Sequence, residues 1–320
     1  MGDVAMAVPV IRALTEKHPE CKITVLSKPF FKPLFDKIPQ VSFFAAQVNT
    51  KHKGILGLFK LYHELKKENI THVADFHNVL RSKILRTLFI FDGKPCMFID
   101  KGRAEKKALT RVKNKIFKQL KTSPQRYADV LNKLGFTLDL SNPTLINKKK
   151  LSKKITLFTG LKKDTWIGIA PFAAFKGKIY PLQLMEEVIK KMDSKGFKIF
   201  LFGGGKREIE ILNSIENTYK NVINLAGHLS FKEELEVIGE LDLMVSMDSG
   251  NAHLAAMQHV KTITLWGVTH PYAGFAPFHQ PDDYCVISDL KKYPKIPCSI
   301  YGNKVINGYE NAMELYHQLK

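Results

Sequence analysis

The chain has 320 residues, 45% hydrophobic and 25% charged, which predicts about two packed domains and excludes a disordered chain, a collagen or a disulfide-stapled miniprotein. No window approaches the roughly 18 uninterrupted apolar residues of a membrane span. Lys and Arg number 49 against 30 Asp and Glu, a net charge of +19, with 29 basic and 12 acidic side chains in residues 1–150 but 20 and 18 in residues 151–320. Such one-sided charge predicts that the first half meets an anion (nucleic acid, a phosphorylated substrate or an acidic membrane surface), unless it serves solubility alone.

The opening MGDVAMAVPVIRAL lacks the basic start and long apolar run of a secretory signal. Four well-separated cysteines (Cys21, Cys96, Cys285, Cys298) without a C-x-x-C pair predict a reduced, cytosolic protein with no zinc site. A helical pattern covers residues 7–17, strand-like runs cover 23–26 and 72–76, and helical patterns return at 80–91 and 125–134. Residues 142–154, with Pro143 and the run Lys148-Lys149-Lys150, read as a linker. Beyond it, apolar runs at 166–170, 198–203, 222–225, 241–247, 262–266 and 284–287 alternate with helical stretches at 182–192, 207–215, 231–238 and 252–259. That alternation predicts a parallel sheet covered on both faces. An amphipathic stretch at 309–319 is expected to pack back on the first domain. The division expected is 1–150, 151–305 and a C-terminal helix over 306–320. Two open α/β domains imply a ligand bound outside the carboxyl ends of the strands, at a cleft between them.

Four segments carry chemistry. In Val245-Ser-Met-Asp-Ser-Gly-Asn-Ala-His253 a buried strand runs into a helix. Asp248 and Ser249 suit its N-cap, Gly250 allows close backbone approach, and the helix start favours an anion such as a diphosphate. A plain capped turn is the other explanation. In residues 169–181, Lys176 and Lys178 follow a strand and a loop of small residues, with Pro181 at a helix start. A lysine there suits a phosphate oxygen or is simply solvated. Residues 202–208, Phe-Gly-Gly-Gly-Lys-Arg-Glu, lack the G-x-G-x-x-G spacing of a dinucleotide fingerprint. The turn instead brings Glu208 toward a ribose or base. At the N-terminus, Asp3 is either a helix cap or a carboxylate able to accept a proton from a substrate hydroxyl.

In this order the segments resemble the heptosyltransferases of glycosyltransferase family 9. The shared features are Met1-Gly-Asp-Val4, Asp75-Phe-His-Asn-Val-Leu-Arg-Ser82, Lys178-x-x-Pro181, Asp248-Ser-Gly-x-x-His253 and Trp266-Gly-Val-Thr-His-Pro271. The resemblance implies an α/β GT-B fold, two Rossmann-like domains facing a central cleft. It also implies an inverting, metal-independent transfer of heptose from ADP-heptose to the lipopolysaccharide inner core, with no cofactor. Residue by residue, it makes Asp3 the general base and Lys178 the phosphate-binding lysine. Asp248, Ser249, Gly250 and His253 become the donor-binding segment, and Glu208 a nucleotide contact. Arg81 and Arg126 fall on the acceptor side. Ala173 and Ala174 stand where some members carry hydroxyls that touch the phosphates. A GT-B transferase using another nucleotide sugar, and a non-catalytic paralogue binding anionic glycolipid, are the alternatives.

The family has an apolar strand before its Gly-Asp turn, so a native protein longer by roughly ten residues is expected. Nine basic residues between Lys101 and Lys121, and the lysine-apolar mixtures at 28–37 and 51–67, predict contact with an anionic membrane surface, which the resemblance makes the cytoplasmic face of the inner membrane, unless they line ordinary solvated helix faces. Zinc-finger, RNA-recognition and leucine-zipper signatures are missing, which argues against a nucleic-acid partner. The missing acidic ribose partner argues against a dehydrogenase.

Overall fold

The computed structural model describes residues 1–36, 38–142 and 151–313. In chain order the elements are α1 (Gly2–Lys17), β1 (Ile23–Ser27), β2 (Val41–Ala45), α2 (Gly54–Lys66), β3 (Val73–Asp75), α3 (Leu80–Phe91), β4 (Cys96–Phe98), α4 (Arg103–Thr110) and α5 (Ser123–Lys133). They continue as α6 (Lys153–Thr159), β5 (Trp166–Ala170), α7 (Leu182–Ser194), β6 (Lys198–Leu201), α8 (Lys206–Thr218), β7 (Val222–Asn224), α9 (Phe231–Glu240), β8 (Leu243–Met247), α10 (Gly250–Ala256), β9 (Lys261–Trp266) and β10 (Cys285–Ile287).

The chain divides into two units. The first comprises Met1, residues 3–101 and 123–144; the second comprises Gly2, residues 102–122 and 145–320. This differs from the expected boundary at residue 150, because the basic segment 102–122 belongs with the second unit. Its apolar anchors explain why. Leu109 and Leu120 are buried with Ala273, against Tyr272, Phe275 and Ile300. The Leu120 amide donates to the Tyr272 carbonyl at 2.9 Å. Burying two leucines contributes about 1.5–3 kcal/mol each, enough to fix an otherwise irregular strap.

In the second unit the six strands form one parallel sheet in the order β10-β9-β8-β5-β6-β7. Counted within this unit that is the doubly wound order 3-2-1-4-5-6 read from the other edge. All five residues of β5 are buried, as expected for a central strand covered on both faces. Gly168 sits where a Cβ would collide with Leu241, Phe202 and Met244, so only glycine lets these layers close. Ile169, Ile199, Leu201, Val245 and Leu265 interlock with Met185, Ile189 and Leu212 of the covering helices. A capping box starts α9: Ser230 Oγ accepts from the Glu233 amide and Glu233 accepts from the Ser230 amide.

The first unit pairs β1 with β2 and β3 with β4, both in parallel, as two two-stranded sheets. α2 was not separated from its lysines in the sequence reading. Its Leu58, Leu61, Tyr62 and Leu65 recur at helical spacing and bury against Leu85 and Phe89 of α3. Tyr62 and Lys66 both hold the Asp92 carboxylate after α3, the lysine at 3.0 Å.

Two expectations at the chain's joints change. The supposed linker includes the start of α6, capped by Ser152 Oγ accepting from the Ile155 amide; residues 143–150, with Lys148–Lys150, lie outside the described residues. Of the expected C-terminal helix, 310–313 form turns. Tyr309 and Ala312 pack with Val268, Tyr293 and Ile296 of the second unit, and Met313 enters that unit's sheet core. Residues 314–320 lie outside the described residues. No helix among the described residues is long and apolar enough to cross a membrane.

Candidate active site

In the second unit the strand order reverses between β5 and β8, and the carboxyl ends of strands at such a switch point are where open α/β sheets bind ligands. The loops that follow β5 and β8 carry Lys178 and Asp248. Lys178 Nζ lies 2.9 Å from Asp248 Oδ2, with the lysine side chain 16% and the aspartate 5% exposed. Thr269 Oγ1 donates to the same oxygen at 3.0 Å. Burial pushes the Asp248 carboxyl up, while Lys178 and Thr269 pull it back. The expected N-cap role of Asp248 gives way to this pairing. The lysine's stem is fixed from both sides. Gly302, at φ +76°, stands where a Cβ would strike the Lys178 side chain, and the Gly177 carbonyl accepts from the Val268 amide at 2.9 Å.

Ser249 occupies the N-cap position of α10 without a side-chain cap bond. Its hydroxyl lies 3.1 Å from Ser246 Oγ instead. Gly250 opens α10, one residue after it. His253 is buried in that helix, and its Nδ1 has no hydrogen-bond partner among the described residues. Burial, then the nearby Lys178 charge, push its imidazole down to about 3, so the ring is neutral at neutral pH and offers one donor and one acceptor. Lys178, Asp248 and His253 are thus brought together. Glu208 is engaged separately: it sits in the first turn of α8 and its Oε2 accepts from the Gly204 amide at 2.8 Å. It braces the Gly203–Gly205 turn, whose last residue has φ +83°.

In the first unit Asp3 lies in the first turn of α1 rather than in a turn ahead of it, and is exposed. A carboxylate there complements the helix dipole. Its backbone carbonyl accepts from Tyr127 Oη at 3.2 Å, so α5 anchors α1 without using the carboxylate. Arg81 is exposed in the first turn of α3. Arg126 corrects the expectation of an acceptor-facing cation: it is 5% exposed, and its guanidinium donates to the Asp100 carbonyl at 3.2 Å. His77 lies in the 75–82 segment shared with the family, where the sequence assigns it no role. It is exposed after β3, within electrostatic reach of Asp3, Arg81 and Lys101. Its sequence signals are its place in that segment and its position directly after a strand.

The basic stretches divide as well. Lys106 is buried, its Nζ 4.1 Å from the Phe275 ring centroid. Lys115 donates to the Lys295 and Pro297 carbonyls at 2.8 and 2.7 Å. These two of the nine basic residues at 101–121 are internal braces, while Arg111, Lys113 and Lys118 are exposed beside exposed Val112 and Ile116. In the segment 28–37 Leu34 and Phe35 are buried and Phe30 is exposed. In 51–67, α2 turns Ile55, Leu56 and Phe59 outward, opposite its buried face.

Comparison with known proteins places this geometry. The chain is 27% identical over 299 residues to lipooligosaccharide heptosyltransferase 2 of Campylobacter jejuni subsp. jejuni serotype O:6, covering 92% of this chain and 87% of that protein. Its fold is similar to the crystal structure of a glycosyl transferase family 9 protein from Veillonella parvula, with TM-score 0.71, 18% identity and coverage of 100% and 94%. It is also similar to E. coli heptosyltransferase WaaC with ADP-2-deoxy-2-fluoro heptose, with TM-score 0.65, 18% identity and coverage of 98% and 95%. The fold is thus α/β of the GT-B class. The model of glycosyltransferase family 9 (heptosyltransferase) matches residues 58–299, a span that takes in the Lys178–Asp248 pair and leaves out Asp3. With three quarters of its length matched, the chain belongs to glycosyltransferase family 9, the heptosyltransferases.

Proposed function

We propose that this protein is an inverting heptosyltransferase that moves heptose from ADP-heptose to a hydroxyl of an anionic lipopolysaccharide inner-core acceptor, with Asp3 as general base. The observation that carries the donor half is the buried Lys178–Asp248 ion pair at the switch point of the second sheet. The lysine is a positioned cation already neutralised by a carboxylate. A donor diphosphate competes for it, and Asp248 then turns to hydrogen-bond donors such as sugar hydroxyls. The Nδ1 of the neutral His253 ring, without a hydrogen-bond partner among the described residues, is a further polar atom able to meet a ligand. A family relative bound to an ADP-heptose analogue supports the nucleotide and the sugar. The lipooligosaccharide named for the Campylobacter relative supports the acceptor class.

The reaction is a single displacement. The acceptor oxygen attacks the anomeric carbon as its proton passes to the Asp3 carboxylate, and the bond to the diphosphate breaks with inversion. Lys178 stabilises the charge that accumulates on the leaving ADP, the part a divalent cation would otherwise take. Preorganised charge of this kind usually supplies the largest share of the rate enhancement. Arg81 and Lys101 would face the acceptor's acidic groups.

A thermal-shift panel of ADP, UDP, GDP and their sugars, followed by a transfer assay, tests the donor. ADP-heptose is expected to raise the melting temperature most, since a ligand at about 100 times its Kd stabilises by about 2.7 kcal/mol. A larger response to a UDP- or GDP-sugar would assign another donor, and binding without transfer would make the chain a glycolipid-binding paralogue.

The same reading places the protein on the cytoplasmic face of the inner membrane. It is supported by the outward Ile55, Leu56 and Phe59 of α2 among Lys51, Lys53 and Lys60. Sedimentation with anionic liposomes is expected at low salt and to fall off at high salt. No sedimentation at low salt would remove the membrane from the account.

A further inference from the structure

The proposed reaction leaves one titratable side chain beside Asp3 without a task. His77 follows β3 at the carboxyl end of the β3–β4 pair, and its backbone is locked. The Asp75 carboxylate accepts from the His77 and Asn78 amides at 2.9 and 2.7 Å. Arg86 holds the other carboxylate oxygen at 2.8 Å while lying 4.0 Å from the Phe98 ring centroid. Asn78 Nδ2 then donates to the Ile99 carbonyl at 3.0 Å, which ties the two strand ends together.

The link to α1 is Tyr127. Its ring stacks on Phe76 with centroids 4.6 Å apart, and its hydroxyl donates to the Asp3 carbonyl at 3.2 Å. Tyr127 is buried, and burial and the Asp3 charge both push its phenol up, so it remains a donor. One side chain therefore registers Asp3 against the residue preceding His77. The charged groups around the imidazole are Asp3 from α1, Asp75 from β3, Arg81 from α3 and Lys101 after β4. Both His77 and Asp3 keep exposed side chains, so the pair can meet a substrate.

We propose that His77 is a positioning residue for Asp3: the neutral imidazole gives the carboxylate a hydrogen-bonding neighbour that aims it at the acceptor hydroxyl, and the imidazolium ties it up in an ion pair. The inference rests on Asp3 being the base. The direction with pH follows from the surroundings. Protein packed behind the ring, and next the Lys101 charge, push His77 below the ordinary imidazole value of 6.5, against the upward pull of Asp3 and Asp75. His77 is therefore neutral at neutral pH and takes its proton only on the acid side of that value.

Steady-state transfer from ADP-heptose to a deacylated inner-core acceptor, measured from about pH 5 to 8 for wild type, His77→Ala, His77→Gln and Asp3→Asn, tests this, with the melting temperature of each variant recorded. His77→Ala is expected to lose between about tenfold and 10²-fold in kcat, as misplaced catalytic groups do, with the donor KM unchanged. His77→Gln, whose amide hydrogen-bonds without titrating, is expected to recover most of that loss. It should also lack the wild-type decline below pH 6.5. A His77→Ala kcat within twofold of wild type overturns the inference, as does a wild-type profile flat below pH 6.5 or a His77→Gln profile with the wild-type decline. If Asp3→Asn transfers normally, the base assignment falls and this inference with it. If Asp3→Asn is silent while His77→Ala is unaffected, the inference alone falls.

Discussion

Asp3→Asn is expected to lose about 10²–10⁴-fold in kcat, the usual contribution of a general base, with the donor KM and the fold unchanged. Its fold should survive because α1 is held by backbone and apolar packing. Tyr127 bonds the Asp3 carbonyl, not its carboxylate, and Ala5, Met6, Val8 and Val10 are nearly or wholly buried. Losing a negative charge from a helix N-terminus costs about 0.3–1 kcal/mol, and asparagine is well tolerated there. Kinetics with ADP-heptose, alongside circular dichroism melting, checks both halves. Near-wild-type turnover by the variant would take Asp3 out of the mechanism.

Lys178→Met has the largest expected effect on stability and also lowers activity. Removing one partner of a buried ion pair typically costs about 3–5 kcal/mol, because the other is left as an uncompensated buried charge. Asp248 has an escape: burial already pushes its carboxyl up, and without the lysine it rises further and takes a proton. The sign follows. A carboxyl raised above its unfolded value stabilises the fold only where it is protonated, so that contribution fades as pH rises through the folded value. The stability deficit of Lys178→Met should therefore be smaller at acid pH and grow toward pH 8, as read from urea midpoints. The double variant Lys178→Met, Asp248→Asn should recover most of the stability. It should not recover transfer, because the cation proposed to stabilise the leaving diphosphate is gone, a loss of about 10²–10³-fold. Recovery of activity together with stability would mean that the pair is structural and that the diphosphate binds elsewhere.

How much of this was legible in the sequence follows from where each feature's information lies. The second sheet was readable because its strands are apolar runs of three to six residues, most of them alternating with helical stretches, and all six were recognised within a few residues. Of the short strands in the first unit β3 was foreseen and β4 was not, since β4 consists of Cys96, Met97 and Phe98 with no β-branched residue. α2 was masked by its lysines and by Ile55, Leu56 and Phe59 on the outward face, which blur the amphipathic signal. The motif residues Lys178 and Asp248 were found singly, but their pairing depends on β5 and β8 lying side by side, a matter of strand order. Arg126 looked like a surface cation because nothing local announces that a backbone carbonyl at Asp100 awaits it. His77 gained meaning only through Tyr127, some fifty residues onward in the chain.

The excursion of residues 102–122 into the second unit bears on how this enzyme can be dissected. Beyond Gly2, the backbone passes from one unit to the other after Lys101, after Thr122 and again after Thr144. A fragment expressed from residue 151 onward would therefore lack Lys106, Leu109 and Leu120, leaving Phe275, Tyr272 and Ala273 uncovered and prone to self-association. A chimaera that exchanges first halves between relatives at the sequence joint near residue 150 would import a foreign strap onto a native body. Grafts that keep 102–122 with its own second unit, and place both outer crossovers at matched positions, preserve the packing that the halves need to fold.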